Sequence, residues 1–292
     1  MAQLKLFDIE LPQKPVNVAS VPQRSPFRYP GGKTWFVPYA RKWLKQYKGR
    51  IHYIEPFAGG GITGLTAAFE NLAQSVLLVE IDPNIAAVWK TILSKKGKWL
   101  AEKMLSFEIT PQNVAIELSK PINSESQRGF ITLLKNRIHH GGILANGAGL
   151  IKNGENGKGL LSRWYPKTIY KRILNILEVK DKIQFLEEDG LDIIEKNSYN
   201  NKCAFFVDPP YTKAAKRLYT YSEIDHENLF RLLKNVKGDF LLTYDDTGEI
   251  EQLAKHHHFD LEKVIMKTTL HYTKYELVIG RSLTWLRSML GR

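Results

Sequence analysis

Cysteine is nearly absent: Cys203 is the only one in 292 residues, so no intrachain disulfide forms and no cysteine pair exists to hold a structural zinc. It lies in the apolar run Cys203-Ala-Phe-Phe-Val207 and reads as a core residue, not a nucleophile. Long apolar runs are missing as well. None approaches the roughly 20 residues of a membrane-crossing helix, and Met1 to Glu10 lacks the basic-then-apolar order of a secretory signal. The expectation is a cytoplasmic protein without a membrane partner. No internal repeat is visible, and acidic residues are in deficit, with 30 Asp and Glu against 42 Lys and Arg for a formal charge of +12.

That surplus gives long-range attraction to polyanions, of which nucleic acid is the commonest large one. Its distribution sharpens the point. Between Arg128 and Lys180 the ten basic residues Arg128, Lys135, Arg137, Lys152, Lys158, Arg163, Lys167, Lys171, Arg172 and Lys180 face only Glu155 and Glu178. The competing reading of this stretch is a solvated basic surface.

Residues 1–25, with scattered Pro, Gln and Ser, read as a flexible lead-in. From Arg50 the pattern alternates strand and helix. Arg50 to Ile54 is a short strand running into Gly59-Gly60-Gly61, with a helix from about Thr63 to Asn71. Ser75 to Val79 is a second strand, ending at Glu80 and Asp82. Asp82 caps the next helix with Pro83 in its first turn, and that helix runs on toward Leu105. Residues 106–180 have a different, glycine-punctuated texture. Strands return at Lys182–Leu186, Ala204–Val207 and Asp239–Thr243, short and apolar as in a parallel sheet buried on both faces. Leu261–Met266 and Tyr275–Gly280 form a closing antiparallel hairpin. The simplest architecture is an α/β doubly wound sheet in two pieces, 26–105 and 181–292, interrupted by an inserted domain at 106–180.

In such sheets ligands bind beyond the carboxyl ends of the strands, where the strand order reverses. Glu55-Pro-Phe57-Ala-Gly59-Gly-Gly61 follows the first strand, and its glycines let backbone approach a ligand closely. Glu80 ends the second strand, where a carboxylate accepts from both hydroxyls of a ribose. Asp189 is placed to accept from an adenine amino group. These features fit a nucleoside cofactor, either a methyl donor or a dinucleotide. Asp208-Pro209-Pro210-Tyr211 after the Ala204–Val207 strand is more specific. Two prolines stiffen the turn and leave carbonyls pointing outward. An aromatic amine, whose lone pair is delocalised, gains nucleophilicity when Asp208 and the Pro209 carbonyl accept its hydrogens, while Tyr211 stacks on the ring. No covalent intermediate and no metal are required. His256-His257-His258 reads as a helix end, since nothing acidic or sulfurous is spaced around it to complete a metal site.

Taken in order, four blocks from Ser25 to Gly280 resemble the Dam-type, or D12-class, adenine-specific DNA methyltransferases. Phe27-Arg-Tyr29-Pro-Gly-Gly-Lys33 resembles the family's amino-terminal block, which assigns Tyr29 and Lys33 to the cofactor, with tyrosine where many members have tryptophan. Glu55 to Gly61 resembles the cofactor loop, Glu80 stands at the ribose acid (glutamate for the commoner aspartate), and Asp189 at the adenine-side acid. Asp208 to Tyr211 resembles the catalytic block, and Tyr219 and Tyr221 fall near aromatics that border the flipped base. The resemblance implies a Rossmann-like, mostly parallel seven-stranded methyltransferase sheet, S-adenosylmethionine as cofactor, and double-stranded DNA as partner, bound as a monomer or weak dimer. It implies an enzyme working beside a separate restriction endonuclease, or an orphan or phage methylase. It also assigns DNA reading to the insertion, where Arg128, Lys135, Arg137, Lys152, Lys158 and Arg163 are the candidate contacts. Lys213, Lys216 and Arg217 are candidates beside an extruded nucleotide. The competing functions are an RNA or protein amide methyltransferase, and a non-catalytic nucleic-acid-binding module.

Overall fold

A computed structural model describes residues 15–28, 31–145, 147–211, 223–267 and 272–292. Its centre is a seven-stranded sheet in the order β3-β2-β1-β4-β5-β7-β6, with β1 His52–Glu55, β2 Ser75–Val79, β3 Ile183–Leu186, β4 Cys203–Val207, β5 Asp239–Asp245, β6 Asp260–Lys267 and β7 Thr273–Gly280. The first five are parallel, and β7 pairs antiparallel with both β5 and β6. The expected doubly wound sheet with a closing hairpin is therefore present. The apolar run Cys203–Val207 forms the middle strand because it can be buried on both faces, and all five of its residues are buried. The strand order reverses between β1 and β4, which opens a crevice at their carboxyl ends.

Helices cover both faces. α1 Val37–Lys45, α2 Ile62–Phe69, α3 Pro83–Leu93 and α4 Gly97–Ser106 precede the inserted stretch, which supplies α5 Pro111–Ser119, α6 Glu125–Ile138 and α7 Pro166–Glu178. α8 Gly190–Lys196, α9 His226–Asn235, α10 Gly248–His256 and α11 Thr284–Leu290 follow. Asp82 caps α3 as expected, accepting from the Asn84 amide at 2.8 Å. The single helix expected from Pro83 to Leu105 is instead two. Ser94 is extended (φ −87°, ψ −177°), and Gly97 lies so close to α3 that a Cβ would sit 2.3 Å from the Ile92 carbonyl. The chain turns there because only glycine fits against that backbone.

Two further features differ from the sequence reading. The described part of the lead-in is docked: Val21 is buried against Val37 and Ile62, and Arg24 pairs with Glu70 at 3.0 Å. The inserted stretch shares its core with the sheet. Phe130, Leu134, Ile169, Ile173 and Ile176 belong to the same buried cluster as Trp89, Leu100 and Met104, with α6 on α3 and α7 on α4. The α3–α6 crossing is tight at Gly129, where a Cβ would lie 2.8 Å from Thr91 Oγ1 and 2.9 Å from the Ala87 carbonyl. Gly129→Ala is expected to cost about 1–3 kcal/mol by overpacking, read as a lower urea midpoint at unchanged slope.

Candidate active site

The loops after β1, β2, β3 and β4 all emerge on one edge of the sheet, because these four strands run parallel. They bring together the acids and glycines that lie far apart in sequence. Glu55, at the end of β1, turns inward. It is 3% exposed, and its two oxygens accept from Thr63 Oγ1 at 2.7 Å and the Gly64 amide at 2.8 Å. Its carboxylate therefore anchors the start of α2. Burial, above all, pushes its pKa up to about 8, with Asp208 adding to the rise.

The glycine loop closes on Glu80. Gly59 (φ 46°) and Gly61 (φ 59°) adopt left-handed backbone, which glycine enters without steric cost. The Gly59 amide donates to Glu80 Oε2 at 3.0 Å, and the Asp82 amide donates to Oε1 at 3.0 Å. Trp89, which sequence reasoning missed, donates from Nε1 to the Gly59 carbonyl at 2.9 Å. Burial raises the group to about 7, against the Asp82, Gly59 and Ile81 amides that favour the charged form. Gly190 seats the next loop: a Cβ there would lie 2.5 Å from the Pro56 carbonyl and 2.9 Å from the Phe57 ring. Asp189 is exposed and caps α8 through Oδ1, 2.7 Å from the Leu191 amide.

Asp208 follows β4 and, partly exposed itself, meets a buried charged group. Lys33 Nζ is 2.8 Å from its Oδ1, Thr243 Oγ1 donates to the same oxygen at 2.9 Å, and the Tyr211 hydroxyl lies 3.2 Å away. All three contacts fall on Oδ1, and among the described residues no donor reaches Oδ2. Lys33, 4% exposed, also donates to the Tyr211 hydroxyl at 2.6 Å and lies 3.5 Å from Glu276 Oε2. Burial opposes the Lys33 charge, but Asp208 and Glu276 outweigh it and raise its pKa. Glu276, on β7 and 3% exposed, is 3.0 Å from the Tyr211 hydroxyl; burial raises its pKa against the pull of Lys33. Neither Glu276 nor Thr243 carries a motif, and only the β4-β5-β7 neighbourhood reveals them. Tyr211 stacks on Tyr244 with ring centroids 5.8 Å apart and 29° between planes.

The basic residues divide. Lys152 and Lys158 are exposed, and Arg128, Lys135 and Arg163 are partly so. Arg137 is not: it is 3% exposed and donates to the Pro26 carbonyl, while burial and the nearby Arg172 and Arg28 push its pKa down to about 9. Its side chain ties α6 to the amino-terminal block, so it is not a surface contact. Arg172 makes a similar tie, to the Ser25 carbonyl at 2.9 Å. Tyr29, Lys213, Lys216, Arg217, Tyr219 and Tyr221 lie outside the described residues. No described helix is long and apolar enough to cross a membrane.

No protein-family model and no curated protein matches the chain. Among solved structures it is similar to a SAM-dependent methyltransferase from Agrobacterium tumefaciens at 11% identity and TM-score 0.39, over 85% of this chain and 60% of that one. It is similar to the M1A22 tRNA methyltransferase TrmK of B. subtilis at 10% identity and TM-score 0.37, over 84% of this chain and 64% of that one. A precorrin-6y C5,15-methyltransferase from Geobacter metallireducens is similar at 10% identity and TM-score 0.34, over 82% and 85% of the two chains. The chain thus spans less than two thirds of the first two proteins. The fold rests on the sheet order itself, and the chemistry rests on the residues above.

Lys33→Met is expected to remove the cation shared by Asp208 and Glu276, leaving Lys274, 3.8 Å from Glu276 Oε1, as the remaining positive charge, and to cost about 1.5–3 kcal/mol. Because folding raises the Lys33 pKa, this stabilisation is complete at neutral pH and is lost only as pH climbs through the raised value. Urea denaturation of both proteins at pH 7 measures it, and an unchanged midpoint would refute the ion group's role.

Proposed function

We propose that this chain is an S-adenosylmethionine-dependent methyltransferase that modifies the exocyclic 6-amino group of adenine in double-stranded DNA. The observation that carries the reading is Asp208-Pro-Pro-Tyr211 at the carboxyl end of β4, with Oδ1 saturated and Oδ2 held ready. A carboxylate oxygen fixed in that way accepts an N–H from an aromatic amine, and the Pro209 carbonyl accepts the second. With both hydrogens drawn off axis, the nitrogen lone pair is directed away from the ring. When bound, the cofactor supplies an electrophilic methyl group.

The donor set fits that cofactor. Glu80, at the end of β2, holds the ribose hydroxyls, and the left-handed glycines at 59 and 61 bring backbone close. The free oxygen of the exposed Asp189 takes the adenine amino group. Lys33 acts from behind, locking Asp208 without touching the reacting atoms. The amino-terminal block, the cofactor loop and the catalytic block, in that order, together with the basic stretch Arg128–Lys180, favour adenine in DNA as the substrate. A base inside a duplex is shielded, so the target nucleotide is extruded, at a cost of a few kcal/mol. The exposed Lys152 and Lys158 are the leading phosphate contacts of the inserted stretch.

The direct experiment offers labelled cofactor to duplex DNA, RNA and protein in parallel and maps modified adenines in the DNA. Label in DNA alone, on adenine, is the expected result; label in RNA or protein alone would replace the substrate. Asp208→Asn should abolish transfer although Lys33, Thr243 and Tyr211 keep an oxygen to bond, because its amide presents a donor to the amine. Near-normal turnover in that variant would overturn the mechanism.

Cofactor affinity should also depend on pH. With Glu80 near 7, acidification protonates the ribose acceptor, so binding weakens roughly tenfold from pH 8 to pH 6. Glu80→Ala should cost about 1.5–3 kcal/mol at pH 8 and flatten the profile. Calorimetry with S-adenosylhomocysteine reads both effects.

A further inference from the structure

The histidine run at the end of α10 meets an acidic partner from another helix. α10 ends at His256, and His257 follows as its C-cap. Glu227 lies in the first turn of α9, and the two helices pack together. One ligand atom from each of Glu227, His256 and His257 lies within 4.8 Å of the other two. The closest pair is His257 Nε2 and Glu227 Oε1, at 3.0 Å.

In a tetrahedral site with metal–ligand bonds of about 2.0–2.1 Å, neighbouring ligand atoms stand roughly 3.3 Å apart. The Glu227–His257 pair is already near that spacing, and a movement of roughly 1.5 Å at most brings in the third atom. The side chains that must adjust are those free to do so, since Glu227 and His256 are exposed. His257 is the fixed member: it is 7% exposed, with its ring against Phe230 and Phe259, each at a centroid distance of 5.9 Å. Beside the cluster lies a solvent-open depression of about 320 Å³ whose walls include His226, Glu249 and Gln252. It has room for the water that completes a fourth position.

We propose that Glu227, His256 and His257 bind one divalent transition ion of the zinc class, which clips the end of α10 to the start of α9. Two imidazoles and one carboxylate suit zinc, cobalt or nickel. They supply too few oxygens for calcium or magnesium. A plain ion pair between Glu227 and His257 would need no third ligand, so His256 distinguishes the two arrangements. The clip also bears on the rest of the molecule: His226 Nδ1 lies 2.6 Å from the Tyr244 hydroxyl, and Tyr244 stacks on Tyr211. The site stands independently of the proposed methyl transfer.

The test uses the full-length chain without a histidine tag, stripped with chelator and titrated with zinc chloride against a chromogenic competitor. A melting curve is recorded in parallel. One equivalent should bind and raise Tm, and calcium chloride should do neither. His256→Ala and Glu227→Gln alter exposed side chains, so each should keep the metal-free Tm. Each should weaken zinc binding by about tenfold or more, the loss that even an outer-sphere partner produces, and should abolish the zinc-dependent rise in Tm. His140→Ala, remote in sequence, should bind as the unaltered protein does. Absence of saturable binding, or equal binding by the unaltered protein and both site variants, would overturn the proposal and leave an ordinary ion pair.

Discussion

The ammonium of Lys33 is the constraint on which the site depends. A lysine at 4% exposure loses most of its hydration, a cost that only close opposite charge offsets. Asp208 and Glu276 provide that charge at 2.8 and 3.5 Å, and the Tyr211 hydroxyl at 2.6 Å and the Gly31 carbonyl at 3.2 Å also accept from it. These groups come from the amino-terminal block, the end of β4 and β7. One buried cation thus fixes the position of the amino-terminal block over the sheet and the orientation of the acid that follows β4.

The same economy recurs in the loops after β1 and β2, where acids act first on the backbone. Glu55 accepts from Thr63 and Gly64 and so anchors the entry of α2. Glu80 holds the Gly59 and Asp82 amides. Trp89 stiffens the loop from below through the Gly59 carbonyl. A glycine loop held in this way is ordered before anything binds, which lowers the entropy lost on association.

Positive charge is likewise divided between structure and surface. Arg137 and Arg172 donate to the Pro26 and Ser25 carbonyls and pull the amino-terminal block onto α6 and α7. The formal surplus of the inserted stretch therefore overstates what faces solvent. Lys152, Lys158, Lys167, Lys171 and Lys180 remain exposed.

The sequence by itself determined the sheet. β2 spans Ser75–Val79, as its apolar run requires, and β4 is Cys203–Val207 because an apolar run of that length is buried on both faces. The cap at Asp82 was also legible, since Asp-Pro at a helix start is a local device. So was the placing of Glu80, Asp189 and Asp208 at strand ends, which follows from strand boundaries alone. Tertiary structure decided what local pattern cannot encode. Whether Glu55 faces a ligand or a helix start depends on where α2 lies. Whether Arg137 meets solvent depends on the docking of Pro26, 111 residues away in sequence. Glu276 joins the site only because β7 inserts between β5 and β6, and Glu227 meets the histidine run because α9 packs on α10. Periodicity and motif record what a residue does to its near neighbours in the chain; the partners of a buried charge are set by packing between elements, which no short stretch of sequence contains.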